Sequence, residues 1–204
     1  MTMATPSIHE VADAFMAIAE SGAIPDGDRP VVVAAASLAY FCGLTARQMT
    51  RARLADLDVA MRTLTVAGMC LKRPVVYVLP EAIMPDVLAA RPTKTHRRKS
   101  FLLPVSDLKA TARLFGYATG WPTSHVWRML RTAAITHCAA RNGLGAAIEF
   151  SGLLSFSVLR HIDWAQVPVG NRGAIIDCQS LLLTPRVGVR DAEVILSRRT
   201  NVRR

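Results

Sequence analysis

The sequence predicts a mainly α chain with a small antiparallel β-hairpin or sheet, an α+β fold. Three observations carry this. Most segments repeat apolar residues at helical spacing. One pair of runs rich in β-branched residues flanks a turn signal. No internal repeat or low-complexity segment interrupts the series.

In chain order, residues 7–21 read as a helix. Ser7 is its N-cap with Glu10 three residues on, a capping box, and Ile8, Val11, Phe15 and Ile18 form one apolar stripe. Gly22 to Asp28 is a turn. The apolar run from Pro30 to Cys42 is too long for one strand and reads as a buried helix ending at Gly43. Thr45 to Met49 opens a shorter helix, which Leu54–Asp58 closes. Thr63–Val66 and Pro74–Leu79 are strands joined through a turn at Gly68. Pro80-Glu81 starts a helix running to about Ala90, and Ser106 to Phe115 is helical. Thr123 caps a helix from Ser124 to about Ala140, stopped by Asn142-Gly143. Ser155 caps a helix through His161 that Pro168 and Gly170 break. Arg190 to Arg199 is a last helix, with the basic tail Asn201 to Arg204.

Composition bounds the function. A chain of 204 residues suits one domain with a small appendage, and 51% hydrophobic content supports a sizeable core and excludes intrinsic disorder. There are 25 Lys+Arg against 15 Asp+Glu, a net charge of +10. That surplus points to a polyanion partner, most often nucleic acid. Of the 25 basic residues 21 are Arg, which with abundant Ala, Val and Leu also fits GC-rich coding. Charge alone leaves both readings open. The longest apolar stretch, Pro30 to Cys42, falls short of the roughly 20 residues a membrane span needs. The N-terminal stretch carries Glu10 and Asp13 and no basic region ahead of an apolar run, so no secretory signal and a cytoplasmic location are expected. Cys42, Cys70, Cys138 and Cys178 are far apart with no Cys-x-x-Cys pair, so reduced, mostly buried thiols are expected, with no metal site and no cofactor.

Two strings carry a resemblance. The first runs Ala39-Tyr40-Phe41-Cys42-Gly43-Leu44-Thr45-Ala46-Arg47-Gln48-Met49 and on through Leu54-Ala55-Asp56-Leu57-Asp58, followed by a hairpin ending Val78-Leu79-Pro80. The second is Phe156-Ser157-Val158-Leu159-Arg160-His161, preceded by a helix with Trp127, Leu130 and Ala134. Over about residues 30–165 these resemble the catalytic domain of tyrosine recombinases of the phage-integrase type. The resemblance divides the chain into an N-terminal helix and turn, 1–29, and a recombinase-like domain, 30–204.

What the resemblance implies about chemistry is largely unmet. The family surrounds one scissile phosphate with two Arg and a Lys, adds a His or Trp, and attacks with a Tyr hydroxyl. Thr45 stands where the first Arg is expected, and Gln48 where a Glu is expected. Met69 stands at the hairpin Lys, with Lys72 nearby, and Ser157 at the first His of the second string. Arg160 is the second Arg, followed by His161. The tyrosines Tyr40, Tyr77 and Tyr117 all lie far upstream of the nucleophile's place. Groups that act as a unit cannot be lost together without losing the reaction. Thr45, Met69, Ser157 and Arg160 are therefore relict positions, and no catalytic residue is expected. The alternative is a divergent site-specific recombinase or DNA-nicking enzyme with a relocated nucleophile among Cys178, Ser180, Thr184 and Ser197.

Candidate DNA contacts are Arg47 and Arg51, spaced i, i+4 on the short helix, where like charges repel unless an anion lies between them. Lys72, the run Lys94, His96, Arg97, Arg98 and Lys99, and Arg160 complete the set. His161, Trp127 and Trp164 read as packed residues. The expected function is non-catalytic binding of double-stranded DNA, as an accessory or regulatory factor of a plasmid, phage or integrative element. A recombinase, a relaxase or a second copy of the chain is the expected protein partner, and no membrane is expected.

Overall fold

The fold grows from one helix that has no polar face. α2 (Arg29–Phe41) buries every residue from Val32 to Phe41, so it must be surrounded. α1 (Ile8–Glu20), α4 (Met84–Ala89), α5 (Asp107–Thr119) and α6 (Val126–Ser151) pack around it. The computed structural model describes residues 4–67, 74–91, 101–103, 107–151 and 160–169.

α1 starts at the expected capping box. The Glu10 amide donates to Ser7 Oγ at 3.3 Å, and the Ser7 amide donates to Glu10 Oε2 at 2.6 Å. Hydrogen bonding from Ser7, its amide first and then its hydroxyl, holds the Glu10 carboxyl below its ordinary range. Val11, Phe15 and Ile18 of α1 belong to the same core as α2 and α6.

β1 (Leu57–Asp58), β2 (Thr63–Ala67) and β3 (Pro74–Val78) form an antiparallel sheet in that order. The pairs Leu57 with Leu64 and Leu64 with Tyr77 set the register and put three large side chains on the core face. Val76 and Val78 face outward.

α6 breaks where Asn142-Gly143 predicts a stop. Gly143 has φ 83° and ψ 173°, a region open chiefly to glycine. The helix then resumes to Ser151 and buries Ala147 and Phe150, a segment the sequence reading omits.

Other expectations are corrected. The helix expected over 45–58 is only α3 (Ala46–Met49); Leu54–Asp56 is a single 3-10 turn and Leu57–Asp58 a strand. Partner strand β2 decides that conformation, not local propensity. With α3 ending at Met49, Arg47 and Arg51 do not share the regular helical face expected of them; the Arg51 amide bonds back three residues, to the Gln48 carbonyl at 3.0 Å. α5 reaches Thr119 rather than Phe115, and α6 begins at Val126 rather than Ser124. The helix expected to run past His161 does not: Arg160-His161 is a 3-10 turn, Ile162-Asp163 leave it, and Trp164–Gln166 form a second one. Asp163 causes this by capping the second turn, its carboxylate accepting from the Ala165 amide at 3.1 Å. The helix expected over 190–199 and the turn at Gly68 lie outside the described residues.

A buried polar relay ties the N-terminal segment down. Tyr40 donates to His137 Nδ1 at 2.8 Å, and His137 Nε2 donates to the Pro6 carbonyl at 3.1 Å. A carbonyl only accepts, so the proton sits on Nε2. Burial holds the His137 pKa below its ordinary value. Cys42 and Cys138 are buried and form no disulfide; Cys70 and Cys178 lie outside the described residues. Among the described residues, no helix is long and apolar enough to cross a membrane, and no three His, Cys, Asp or Glu side chains group as a metal site.

Candidate functional site

The turn after α2 is built by backbone geometry. Gly43 has φ 60°, and the Leu44 amide reaches back to the Leu38 carbonyl at 3.2 Å. Thr45 then opens α3. Its hydroxyl accepts from the Gln48 amide at 3.2 Å, while the Thr45 amide donates to Gln48 Oε1 at 3.0 Å. Both side chains are thus engaged in a capping box.

Arg131 locks this turn to α6. It is 6% exposed, donates from Nε to the Gly43 carbonyl at 2.8 Å, and from Nη2 to the Ser151 carbonyl at 3.1 Å. One guanidinium therefore joins the end of α2 to the last turn of α6. Sequence reasoning missed it, although it shares a helical face with the buried Trp127, Leu130, Ala134 and Cys138.

Near Arg131 lies an open cleft of about 700 Å³. Arg128 and Thr132 of α6, the turn from Arg160 to Ala165, and residues 4–6 form its walls. Thr136 fastens the turn to α6: its hydroxyl accepts from the Asp163 amide at 3.0 Å and donates to the His161 carbonyl at 3.4 Å. Gln166 Nε2 donates to the Thr5 carbonyl at 2.8 Å and to Asp163 Oδ2 at 3.1 Å.

The cleft is cationic. Arg128 and Arg160 are exposed, and neither forms an ion pair with a described residue. The Asp163 carboxylate is taken up by its own turn, at Ala165 and Gln166. His161 feels the result. Burial, then Arg131, Arg128 and Arg160, push its pKa below the ordinary imidazole value.

Of the sequence-predicted positions, Arg160 lines the cleft together with His161. Thr45, Arg47 and Arg51 do not line it, and Arg47 and Arg51 are exposed. Met69, Lys72, Lys94, His96, Arg97, Arg98, Lys99 and Ser157 lie outside the described residues, as do Cys178, Ser180, Thr184 and Ser197. Trp127 is buried, and Trp164 is half-buried against the core. Arg128, which no motif marks, is the other exposed cation of the cleft.

No protein-family model matches the chain, and no curated protein matches it in sequence. Among solved structures, it is similar to one described as the crystal structure of XerA recombinase, with a TM-score of 0.55 and 16% identity. The fold is tyrosine-recombinase-like. The alignment covers 82% of this chain and 66% of the XerA recombinase chain, just under two thirds of its length. At that identity the likeness is one of recombinase-like architecture: a mainly helical chain with a small three-stranded antiparallel sheet.

Proposed function

We propose that this chain binds double-stranded DNA through its backbone and does not cut it, as an accessory or regulatory factor of a mobile element. The observation that carries this reading is the cleft. Arg128 and Arg160 stand exposed there without an ion-pair partner among the described residues, beside an imidazole whose charged form they disfavour. Such a cluster suits a phosphate, which supplies the missing countercharge. Arg47 and Arg51 add exposed positive charge elsewhere, and the run from Lys94 to Lys99 adds more along the chain. Thr45 argues against cleavage chemistry. Where the tyrosine-recombinase resemblance implies a phosphate-stabilising Arg, its hydroxyl caps a helix. A recombinase, a relaxase or a second copy of the chain would complete the grip on the duplex.

The test is salt-dependent binding to unrelated duplexes. Arg128→Ala with Arg160→Ala is expected to weaken affinity about tenfold or more on every sequence, and to reduce the slope of log affinity against log salt by about two. Unchanged affinity and slope would remove the cleft from the interface. The recombinase-like fold also supports a second reading, a strand-cleaving transesterase with a relocated nucleophile. A covalent protein–DNA adduct on a nicked suicide duplex would establish that reading and overturn the first.

A further inference from the structure

We propose that the cleft takes up a proton together with a phosphate group, so that an anion held by Arg128 and Arg160 favours protonation of the neighbouring His161. The inference rests on reading the cleft as a phosphate contact and adds its regulation. Geometry supports it in three ways. His161, Arg128 and Arg160 line the same cleft, so an anion held there lies among all three. Arg131, buried on α6, is held by the Gly43 and Ser151 carbonyls. The one carboxylate of the cleft turn, Asp163, is occupied by the Ala165 amide and the Gln166 side chain.

Among the described residues, the charges that act on the His161 ring are the cations Arg131 and Arg128 of α6 and Arg160 of its own turn. The neighbouring Thr136 reaches only the His161 backbone carbonyl and leaves the imidazole free to protonate. Burial and these cations oppose a charged ring. A phosphate among them shifts the balance toward the charged ring, because its negative charge both attracts the imidazolium and offsets the cations around it. Linkage makes the effect reciprocal. If phosphate strengthens proton binding at His161, protonation strengthens phosphate binding by the same factor. Affinity then rises as pH falls through the imidazole range, where a site without a titrating group would show no dependence.

The experiment follows the His161 imidazole by NMR as pH falls, for the protein alone, with duplex DNA and with inorganic sulfate. Neither anion changes its charge over this range. His161→Gln assigns the signal. The midpoint is expected to rise with an anion present, and duplex affinity to be about tenfold greater near pH 5.5 than near pH 7.5. His161→Gln should flatten that dependence to within about twofold. Arg128→Met, an exposed position, should raise the midpoint without any anion and shrink the response to one, whether or not His161→Gln folds. A response to duplex alone supports the coupling with the DNA backbone as its source. A response to sulfate alone supports it with a free anion as its source. A midpoint unmoved by either, or pH dependence that survives in His161→Gln, overturns it. Salt-dependent duplex binding with an unmoved midpoint sinks the coupling alone. Absence of duplex binding sinks the proposed function, and the response to sulfate then decides the coupling.

Discussion

Arg131→Met is expected to lower stability by about 3 kcal/mol, because two charge-assisted bonds vanish and two buried carbonyls lose a donor. The bonds to Gly43 and Ser151 are each worth about 1.5–3 kcal/mol when the donor is charged. Part of that is returned, since a buried guanidinium no longer has to be desolvated. Met fills the volume of the aliphatic stem and limits any cavity. For a chain of 204 residues the loss corresponds to a fall in Tm of about 6–12 °C, measured by thermal unfolding. Arg131→Lys separates bond from charge. It keeps the cation but cannot reach both carbonyls in the same planar geometry, so it should lose about half as much stability and leave His161 unchanged. In Arg131→Met the His161 midpoint should rise, because a repelling charge is gone. A stability loss under about 1 kcal/mol for Met would show that α2 and α6 hold together without this clamp.

What was legible in the sequence was what local chemistry decides. The Ser7–Glu10 box, the all-apolar α2, the two main strands and the break at Gly143 each carry their signal within a few residues. What was hidden depends on partners far along the chain. Leu57-Asp58 looks like the end of a helix, and becomes a strand only because β2 offers a free edge. Arg131 is one charge on an otherwise apolar helical face, and its acceptor Gly43 is 88 positions away. The candidate site divides the same way. Arg160 was found through its motif. Arg128 was not, because an exposed Arg near a helix start carries no signal until the turn at Arg160 is packed beside it. Position 45 shows how a motif can survive with another use. Its string still turns the chain through Gly43, while Thr45 serves as a cap.

Gly43→Ala tests that turn, with an expected cost of about 2–4 kcal/mol from two separable causes. The first is backbone. At φ 60° an alanine sits in the left-handed region, which costs it about 1 kcal/mol relative to glycine. The second is packing. A Cβ at this position would lie 2.8 Å from Cε1 of Phe150, whose ring is 5% exposed and has little room to withdraw. Strain relieved by moving the ring would be passed to the segment of α6 that follows Gly143, and so to the Ser151 carbonyl that Arg131 holds. Phe150→Leu distinguishes the causes. Leu lacks the clashing ring edge, so Gly43→Ala placed in the Phe150→Leu background should cost only the backbone share, about 1 kcal/mol. A double-mutant cycle by denaturant unfolding reads this difference directly. If the two substitutions add without interaction, Phe150 is not what requires glycine at 43, and the backbone conformation alone does.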